Sequence, residues 1–492
     1  MSGSTRIYII GAGFAGRSIS AEIREKELLG EVVAFLDDDS DKIGTRIDGI
    51  PVLGPISDVV NLIKKTPADE ALIAIPSAGR ELLRRLYERL KEADFERIRI
   101  LPGISQIVDG DAHFIQTREI DPQDLLGRTP VHISLRESLS YLRGRRVLLT
   151  GAGGSIGSEL ARQLLSGGAE RLYLLGHGEN SVYEIESELR LLQEEGVGER
   201  ATIVPVVGEL KDRDYTRFIL NRLKADVVFD TAAYKHVPMM EANPVAAAEN
   251  NIFGTLHLLE AAKAAGTNRL VMISTDKVVE PSSVYGATKQ IAERLVLSAA
   301  TDSFHGMVVR FGNVLGSRGS IIPLFRKQIL KGGPVTITDR RAERFFMTIP
   351  EAASLVLKTG GMGESGELYT LDMGEPVKIK ELAEQMIRFY GFEPASQVEL
   401  KEIGLRSGEK LTERIYNPGE TPQGTEHPRV HRVEFSDRGA YCASLDGLIE
   451  ELRPICVLTP GAEDDYRNRH RLKEVLRRVV PSLPVDESEP TY

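Results

Sequence analysis

The 492-residue sequence predicts an α/β protein built from two Rossmann-like, doubly wound parallel-sheet domains in tandem. Three observations predict it. An apolar run at residues 6–10 (RIYII) leads directly into Gly11-x-Gly13-x-x-Gly16. A second run at 145–150 (RRVLLT) leads into Gly151-x-x-Gly154-x-x-Gly157. After each loop, short strand-like runs alternate with helical segments, the pattern of parallel strands joined by crossover helices.

In the first domain, placed at 1–120, RIYII reads as a buried parallel strand and the segment after the glycines as a helix to about Leu28. The next run, VVAFL, ends in Asp37 and Asp38, and ALIAIP (71–76) and RIRILPG (97–103) read as further strands. Glycines at this spacing let the backbone turn and approach a pyrophosphate at a helix N-terminus, and an acid after the second strand is placed to bond a ribose hydroxyl. Gly11, Gly13, Gly16 and Asp37 therefore form a candidate nucleotide site. The alternative is a domain that keeps its glycines only for tight packing. Periodicity then weakens, with Pro122 and Pro130 breaking it, so 121–143 is expected to be a linker.

Bulk composition narrows the function. The chain is 41% hydrophobic and 27% charged, ordinary for a globular protein. Its net charge of −10 argues against nucleic acid or an anionic membrane as the main partner. Cys442 and Cys456 are the only cysteines and carry no metal-ligand spacing, so neither a disulfide nor a metal is expected. The N-terminus leaves no room for a signal peptide, and no apolar run approaches the roughly 20 residues that span a bilayer. A cytoplasmic location is the expectation.

The second domain, placed at 144–420, carries the chemistry. RLYLL, DVVFDTAAY (226–234) and LVMISTDK (270–277) read as strands, the last two running into small or polar residues. Doubly wound sheets bind ligands beyond the C-terminal ends of their strands. The glycine loop, Ala232-Ala233 and Ser274–Lys277 all fall at that edge. Next comes Tyr285, with Lys289 four residues on, hence one turn apart on one helix face. A lysine ammonium beside a tyrosine hydroxyl favours the phenolate and lowers its pKa toward neutrality. That suits a general base for a sugar or alcohol hydroxyl. Alone, Tyr-x-x-x-Lys is as easily a solvated helix face; three strand ends converging on the same crevice favour the functional reading.

Eight stretches carry a family resemblance: TGAGGSIGSE (150–159), AAYKHVPMME (232–241), ISTDK (273–277), VYGATK (284–289), RFGNVLGSRGSIIPLF (310–325), RFFMTIPEA (344–352), LDMGEPVKI (371–379) and LRSGEKLTE (405–413). Through them, residues 145 to about 415 resemble the capsular-polysaccharide-type nucleotide-sugar 4,6-dehydratases, an extended branch of the short-chain dehydrogenases with a small C-terminal substrate subdomain. The first domain resembles the one preceding the dehydratase in longer members, which usually begin with membrane helices.

The resemblance implies conversion of a UDP-N-acetylhexosamine, commonly UDP-N-acetylglucosamine, to its 4-keto-6-deoxy derivative, with a tightly held NAD or NADP reduced and reoxidised in each turnover. It implies cofactor contacts from Gly151, Gly154, Ser155, Ile156, Gly157, Glu209, Leu210, Ala232 and Ala233, joined by Tyr285 and Lys289. Tyr285 would take the 4-hydroxyl proton, Lys289 would keep it ionised and bond the nicotinamide ribose, and Thr275 would bond the 4-oxygen. Dehydration needs a second acid/base pair, which Asp276 and Lys277 supply, Lys277 as the carbon-5 base and Asp276 as the acid to the 6-hydroxyl. Lys235, Asn313, Arg318 and Arg344 are candidates for the UDP-sugar, and Glu409 for the uridine ribose; capping, ion-pair or surface roles are the alternatives. His236 is expected to be structural.

Two departures from the family stand out. Gly176 occupies the place where many members carry a ribose-binding Asp, leaving NAD and NADP both open. Tyr285 replaces the Met that longer relatives often have, leaving the carbon-5 stereochemistry open as well. The extension 421–492, with short runs such as VLRRVV, either packs as a terminal helix or stays loose. A homo-oligomer is expected. Competing readings are a nucleotide-sugar 4- or 5-epimerase and a non-catalytic nucleotide-sensing module.

Overall fold

A computed structural model describes residues 5–25, 30–101, 118–119, 139–194, 196–198, 201–443 and 445–484. They fall into two compact units, one within residues 1–134 and the other over most of 135–492. Both are α/β units of the Rossmann type.

The first unit contains β1 (Arg6–Ile10), α1 (Phe14–Glu25), β2 (Glu31–Leu36), β3 (Glu70–Ile73), α2 (Arg80–Glu92), β4 (Arg97–Ile100) and β5 (Arg118–Glu119). Its sheet runs β2-β1-β3-β4-β5, parallel except for the last pair. Ile7 and Ile9 of β1 bury with Ile19 and Ile23 of α1, one helical turn apart. Strand order reverses at β1, so the glycine loop after β1 opens at the switch point between β1 and β3.

The second unit begins with β6 (Arg146–Thr150), α3 (Ser155–Ser166), β7 (Arg171–Gly176), α4 (Glu179–Glu194), β8 (Thr202–Val207) and β9 (Val227–Asp230). It continues with β10 (Arg269–Thr275), α5 (Val284–Ser298), β11 (His305–Phe311), β12 (Leu368–Leu371), β13 (Glu420–Gly424) and β14 (Val430–Phe435). The sheet order is β8-β7-β6-β9-β10-β11-β12-β14-β13, with the first seven strands parallel and the last two antiparallel. The reversal between β6 and β9 puts the C-terminal ends of β6, β9 and β10 around one crevice. Short paired strands, including Asn313–Val314 with Phe346–Met347 and Glu343–Arg344 with Val377–Lys378, follow β11.

The fold does not divide at 420–421, where the sequence suggests an extension: β13 spans that point and completes the sheet. Helices at Asp446–Cys456 and Arg469–Val479 bury Ile449, Leu452, Leu472 and Leu476 in one cluster with Val284 and Ile291 of α5. Apolar residues three or four apart give each helix a single stripe, and the stripes close on the helix that carries Tyr285. Of the expected linker, residues 121–138 lie outside the described residues, while Leu139 and Leu142 are buried in the second unit. Among the described residues, no helix is long and apolar enough to cross a membrane and no side-chain cluster could hold a metal ion.

Candidate active site

The cofactor end of the crevice is backbone. Gly151 has φ +61°, and Gly154 is the N-cap of α3. Gly157 lies beneath the Gly151 carbonyl, where a Cβ would collide, so α3 starts against the loop. Beyond the loop is a cavity of about 250 Å³. Of the predicted cofactor residues, Gly151, Gly154, Glu209, Leu210, Ala232 and Ala233 line it. Ser155 and Gly157 support the loop instead, and Ile156 is half-buried on the first turn of α3. The sequence reading missed His177, Gly178 and Ser181 on the cavity wall; their signal was position, directly after β7. A glycine cradle free of side chains at a helix N-terminus fits a dinucleotide pyrophosphate.

Arg318 belongs to this end rather than to a substrate pocket. Its backbone N–H donates to Ser155 Oγ (3.0 Å), and its guanidinium donates to the Gly153 carbonyl (3.0 Å) and to Glu184 (2.8 Å).

The reactive end is set by β10 and α5. β10 stops at Thr275, and Asp276–Val278 form a tight turn whose Lys277 N–H donates to Thr275 Oγ1 (3.4 Å). Thr275 Oγ1 donates to Asp276 Oδ1 (3.0 Å). Ser283 caps α5 by accepting from the Gly286 N–H (3.1 Å), which places Tyr285 in the first turn and Lys289 in the second. Thr275, Asp276, Tyr285 and Lys289 are all buried. Lys277 Nζ donates to Asp276 Oδ1 and Asn313 Oδ1, both at 2.9 Å. Lys235 lies close enough that burial, reinforced by the Lys277 charge, lowers its pKa.

The electrostatics correct one expectation. Burial pushes Tyr285 up to about 12, rather than toward neutrality, and the charge working against that rise is Lys277. The Thr275 hydroxyl also works against that rise. Lys289, also buried, has its pKa lowered by desolvation, with the charges of Asp230 and Glu293 working against that fall. Asp230 at the end of β9 is itself raised by burial and accepts from Thr150 Oγ1 (2.5 Å). Helical spacing identified the lysine that shares a face with Tyr285; the turn after β10 contributes a second, Lys277, whose charge works against the rise at that hydroxyl. Although burial works to lower Lys277, Asp276 and Glu413 outweigh it and keep the ammonium above its ordinary range.

The remaining substrate candidates divide. Asn313 is at the site, bonded to Lys277. Arg344 donates to the carbonyls of Lys410 (2.6 Å), Glu343 (2.7 Å) and Leu411 (2.9 Å). Both oxygens of Glu409 accept from Arg406, so its carboxylate is already occupied. The carboxylate the sequence reading passed over is Glu413, the last residue of LRSGEKLTE. It is almost fully buried and approaches Lys277 Nζ (3.9 Å), Arg344 Nε (3.8 Å) and Lys410 Nζ (3.8 Å).

This arrangement puts one tyrosine–threonine pair and one lysine–aspartate pair beside a nucleotide-type cradle. A family model described as "Polysaccharide biosynthesis protein" matches residues 147–435, well over half of the chain. The chain belongs to the polysaccharide biosynthesis protein family. Residues 2–102 match a family described as a CoA-binding domain. The probable polysaccharide biosynthesis protein EpsC of Bacillus subtilis is 40% identical over 430 residues, covering 87% of this chain and 71% of that one. A UDP-N-acetylglucosamine 4,6-dehydratase (inverting) of Campylobacter jejuni is 30% identical over 275 residues, covering 55% and 77%. The X-ray structure of Pen from Bacillus thuringiensis has a TM-score of 0.54 at 30% identity, covering 59% of this chain and 90% of that one.

In this polysaccharide biosynthesis protein the first unit has a cavity of its own, about 510 Å³, lined by Gly11, Gly13, Phe14, Asp37 and Pro76 among others. Gly16 is not on its wall; it sits under the Gly11 carbonyl. Asp37 Oδ2 accepts from the Ala12 N–H (2.7 Å) and from Lys42 Nζ (3.3 Å), while Oδ1 accepts from the Asp39 N–H (2.9 Å). The acid read as a ribose ligand is thus bonded to its own loop.

Proposed function

We propose that this chain catalyses the NAD- or NADP-dependent 4,6-dehydration of a UDP-N-acetylhexosamine, UDP-N-acetylglucosamine first among them, for surface polysaccharide synthesis. The observation that carries this reading is the Asp276–Lys277 pair, 2.9 Å apart and adjoining Thr275 and Tyr285. An epimerase needs only the groups at the 4-oxygen; loss of the 6-hydroxyl needs a second acid and base. Relatives of near-equal identity include a dehydratase and an epimerase, so the choice rests on the Asp276–Lys277 pair.

Tyr285 is the base for the 4-hydroxyl proton in its ionised form, which the Lys277 charge favours against the burial that raises it, and the Thr275 hydroxyl would hold the 4-oxygen as it becomes a carbonyl. A nicotinamide cofactor in the glycine-lined cavity would supply the hydride acceptor at carbon 4 and the donor at carbon 6. The Lys277 ammonium lies 2.9 Å from Asp276 Oδ1, so one proton shift across that bond creates a neutral amine and a protonated carboxyl together. Lys277 then takes the carbon-5 proton, acidified by the adjacent ketone. The electron pair left at carbon 5 expels the 6-hydroxyl, which leaves as water with the proton of Asp276. Gly176 places no acid at the adenosine ribose, compatible with either cofactor.

The test is proton NMR of the protein with UDP-N-acetylglucosamine in deuterated water. The expected result is a new carbon-6 methyl signal with solvent deuterium at carbon 5. A sugar that keeps its 6-hydroxymethyl and changes configuration at carbon 4 or 5 would replace dehydration by epimerisation.

A further inference from the structure

Among the described residues, Glu413 is the one carboxylate near Lys277 that the scheme above leaves without work. Its side chain is 4% exposed, and its Oε2 is sealed from solvent without a hydrogen-bond partner. A buried carboxylate in that state is costly unless charge nearby compensates it. The compensation is three cations from separate segments: Lys277 after β10, Arg344 on the short strand after β11, and Lys410 in the loop of LRSGEKLTE, each 3.8–3.9 Å away. All three distances exceed hydrogen-bonding range, so the interaction is one of charge and not of directed bonds. Oε2, which faces Lys410, is closed to a substrate, and Oε1 faces Lys277 and Arg344.

We propose that Glu413 is a positioning residue for dehydration: its nearly buried carboxylate holds Lys277 at the sugar and is the counter-charge to the ammonium that forms there as the carbon-5 C–H bond breaks. The proposal rests on the dehydratase reading. Proton balance is unchanged by it; the carbon-5 proton goes to Lys277 Nζ, and Glu413 gains and loses none. The charged or titratable groups facing Lys277 are Asp276, Glu413, Tyr285, Lys235 and Lys410. Of these, Asp276 and Glu413 favour the ammonium. Burial holds Glu413 itself above the ordinary carboxylate range, against the pull of Lys277.

The experiment compares full-length wild-type protein, Glu413→Gln and Glu413→Asp, each with bound cofactor. Single-turnover formation of the reduced nicotinamide, read by its near-ultraviolet absorbance, measures carbon-4 oxidation. The carbon-6 methyl signal measures dehydration. If the wild type makes no methyl product, the dehydratase reading itself fails. If it does, Glu413→Gln is expected to slow methyl formation about tenfold to a hundredfold, with carbon-4 oxidation reduced less than about threefold. In the scheme above the Lys277–Asp276 pair must hold one proton, so methyl formation falls once Lys277 loses its proton to solvent. Removing a facing negative charge lowers the Lys277 pKa. The falling limb of methyl formation against pH therefore moves to lower pH in Glu413→Gln. Glu413→Asp keeps the charge but draws it back, so its limb moves less than that of Glu413→Gln and dehydration slows less. Equal losses in both steps, or a Glu413→Gln limb that does not move, would overturn the proposal.

Discussion

Gly16 in the first unit and Gly157 in the second occupy the same place, each beneath the carbonyl of the loop's first glycine, which has φ +105° at Gly11 and +61° at Gly151. The loops diverge in what surrounds them. The first retains an acid after its second strand, yet Asp37 accepts from the Ala12 N–H at 2.7 Å and pairs with Lys42. The second has Gly176 there, and Arg318, far away in sequence, bonds the loop from outside. A carboxylate offers a limited set of acceptor sites, and those taken by its own backbone are not offered to a ribose. The presence of the acid is therefore a poorer guide to a nucleotide site than the state of its hydrogen bonds. The groups proposed as catalytic also separate the two: Thr275, Asp276, Lys277 and Tyr285 belong to the second unit, whereas the lining of the first cavity is mainly small and apolar, with Asp37 and Asp38 as its charged residues.

The comparison breaks most decisively at Tyr285. Tyr285→Phe is expected to slow carbon-4 oxidation about a thousandfold. Single-turnover absorbance of the reduced cofactor measures it. A loss below about tenfold would mean that the hydroxyl is not the base, and would remove the functional contrast between the cavities.

A smaller effect tests whether the units are also held differently. In the second unit, Arg310 is fully buried between Glu293 (2.8 Å) and Glu420 (2.7 Å). Glu420→Gln leaves that charge half compensated and should cost about 3–5 kcal/mol. Calorimetry should show the melting transition of the second unit moving down while that of the first stays. Although burial works to raise it, Arg310 holds the Glu420 pKa below the ordinary glutamate value. A depressed carboxylate contributes its full stability above the unfolded pKa, about 4.3, and loses it as pH falls through the folded value. The second unit should therefore lose stability on acidification below about pH 4, by a margin that Glu420→Gln lacks. Coincident melting of both units in the variant would contradict this separation.

The smallest expected effect is in the first loop. Asp37→Ala leaves the Ala12 and Asp39 N–H groups without their acceptor and should cost about 1 kcal/mol, since water reaches part of this surface. The urea midpoint of the first unit reports it, and an unchanged midpoint would mean that Asp37 does not hold the loop.

How far the site was legible varies residue by residue. Tyr285 and Lys289 followed from helical spacing, and the Ser283 cap is as local as that spacing. Thr275, Asp276 and Lys277 followed from a strand running into polar residues. Spacing along a helix says that Lys289 shares a face with Tyr285; it does not say that the Lys277 charge, brought by another element, also acts on that hydroxyl. Glu409 and Glu413 lie in one motif, and nothing in its pattern says that Arg406 takes the first while three cations enclose the second.

By itself, then, the sequence determined two glycine-loop folds and the strand-end and helix positions of the reactive residues, because these depend on backbone geometry and periodicities of a few residues. Tertiary structure alone decided that Asp37 closes on its own loop and that Arg318 reaches across to Ser155. It also decided that β13 and the C-terminal helices complete the second unit and that Glu413 is sealed beside Lys277. Each of those depends on which distant segments meet and on how much water their meeting excludes, and burial of that kind has no local signature in the chain.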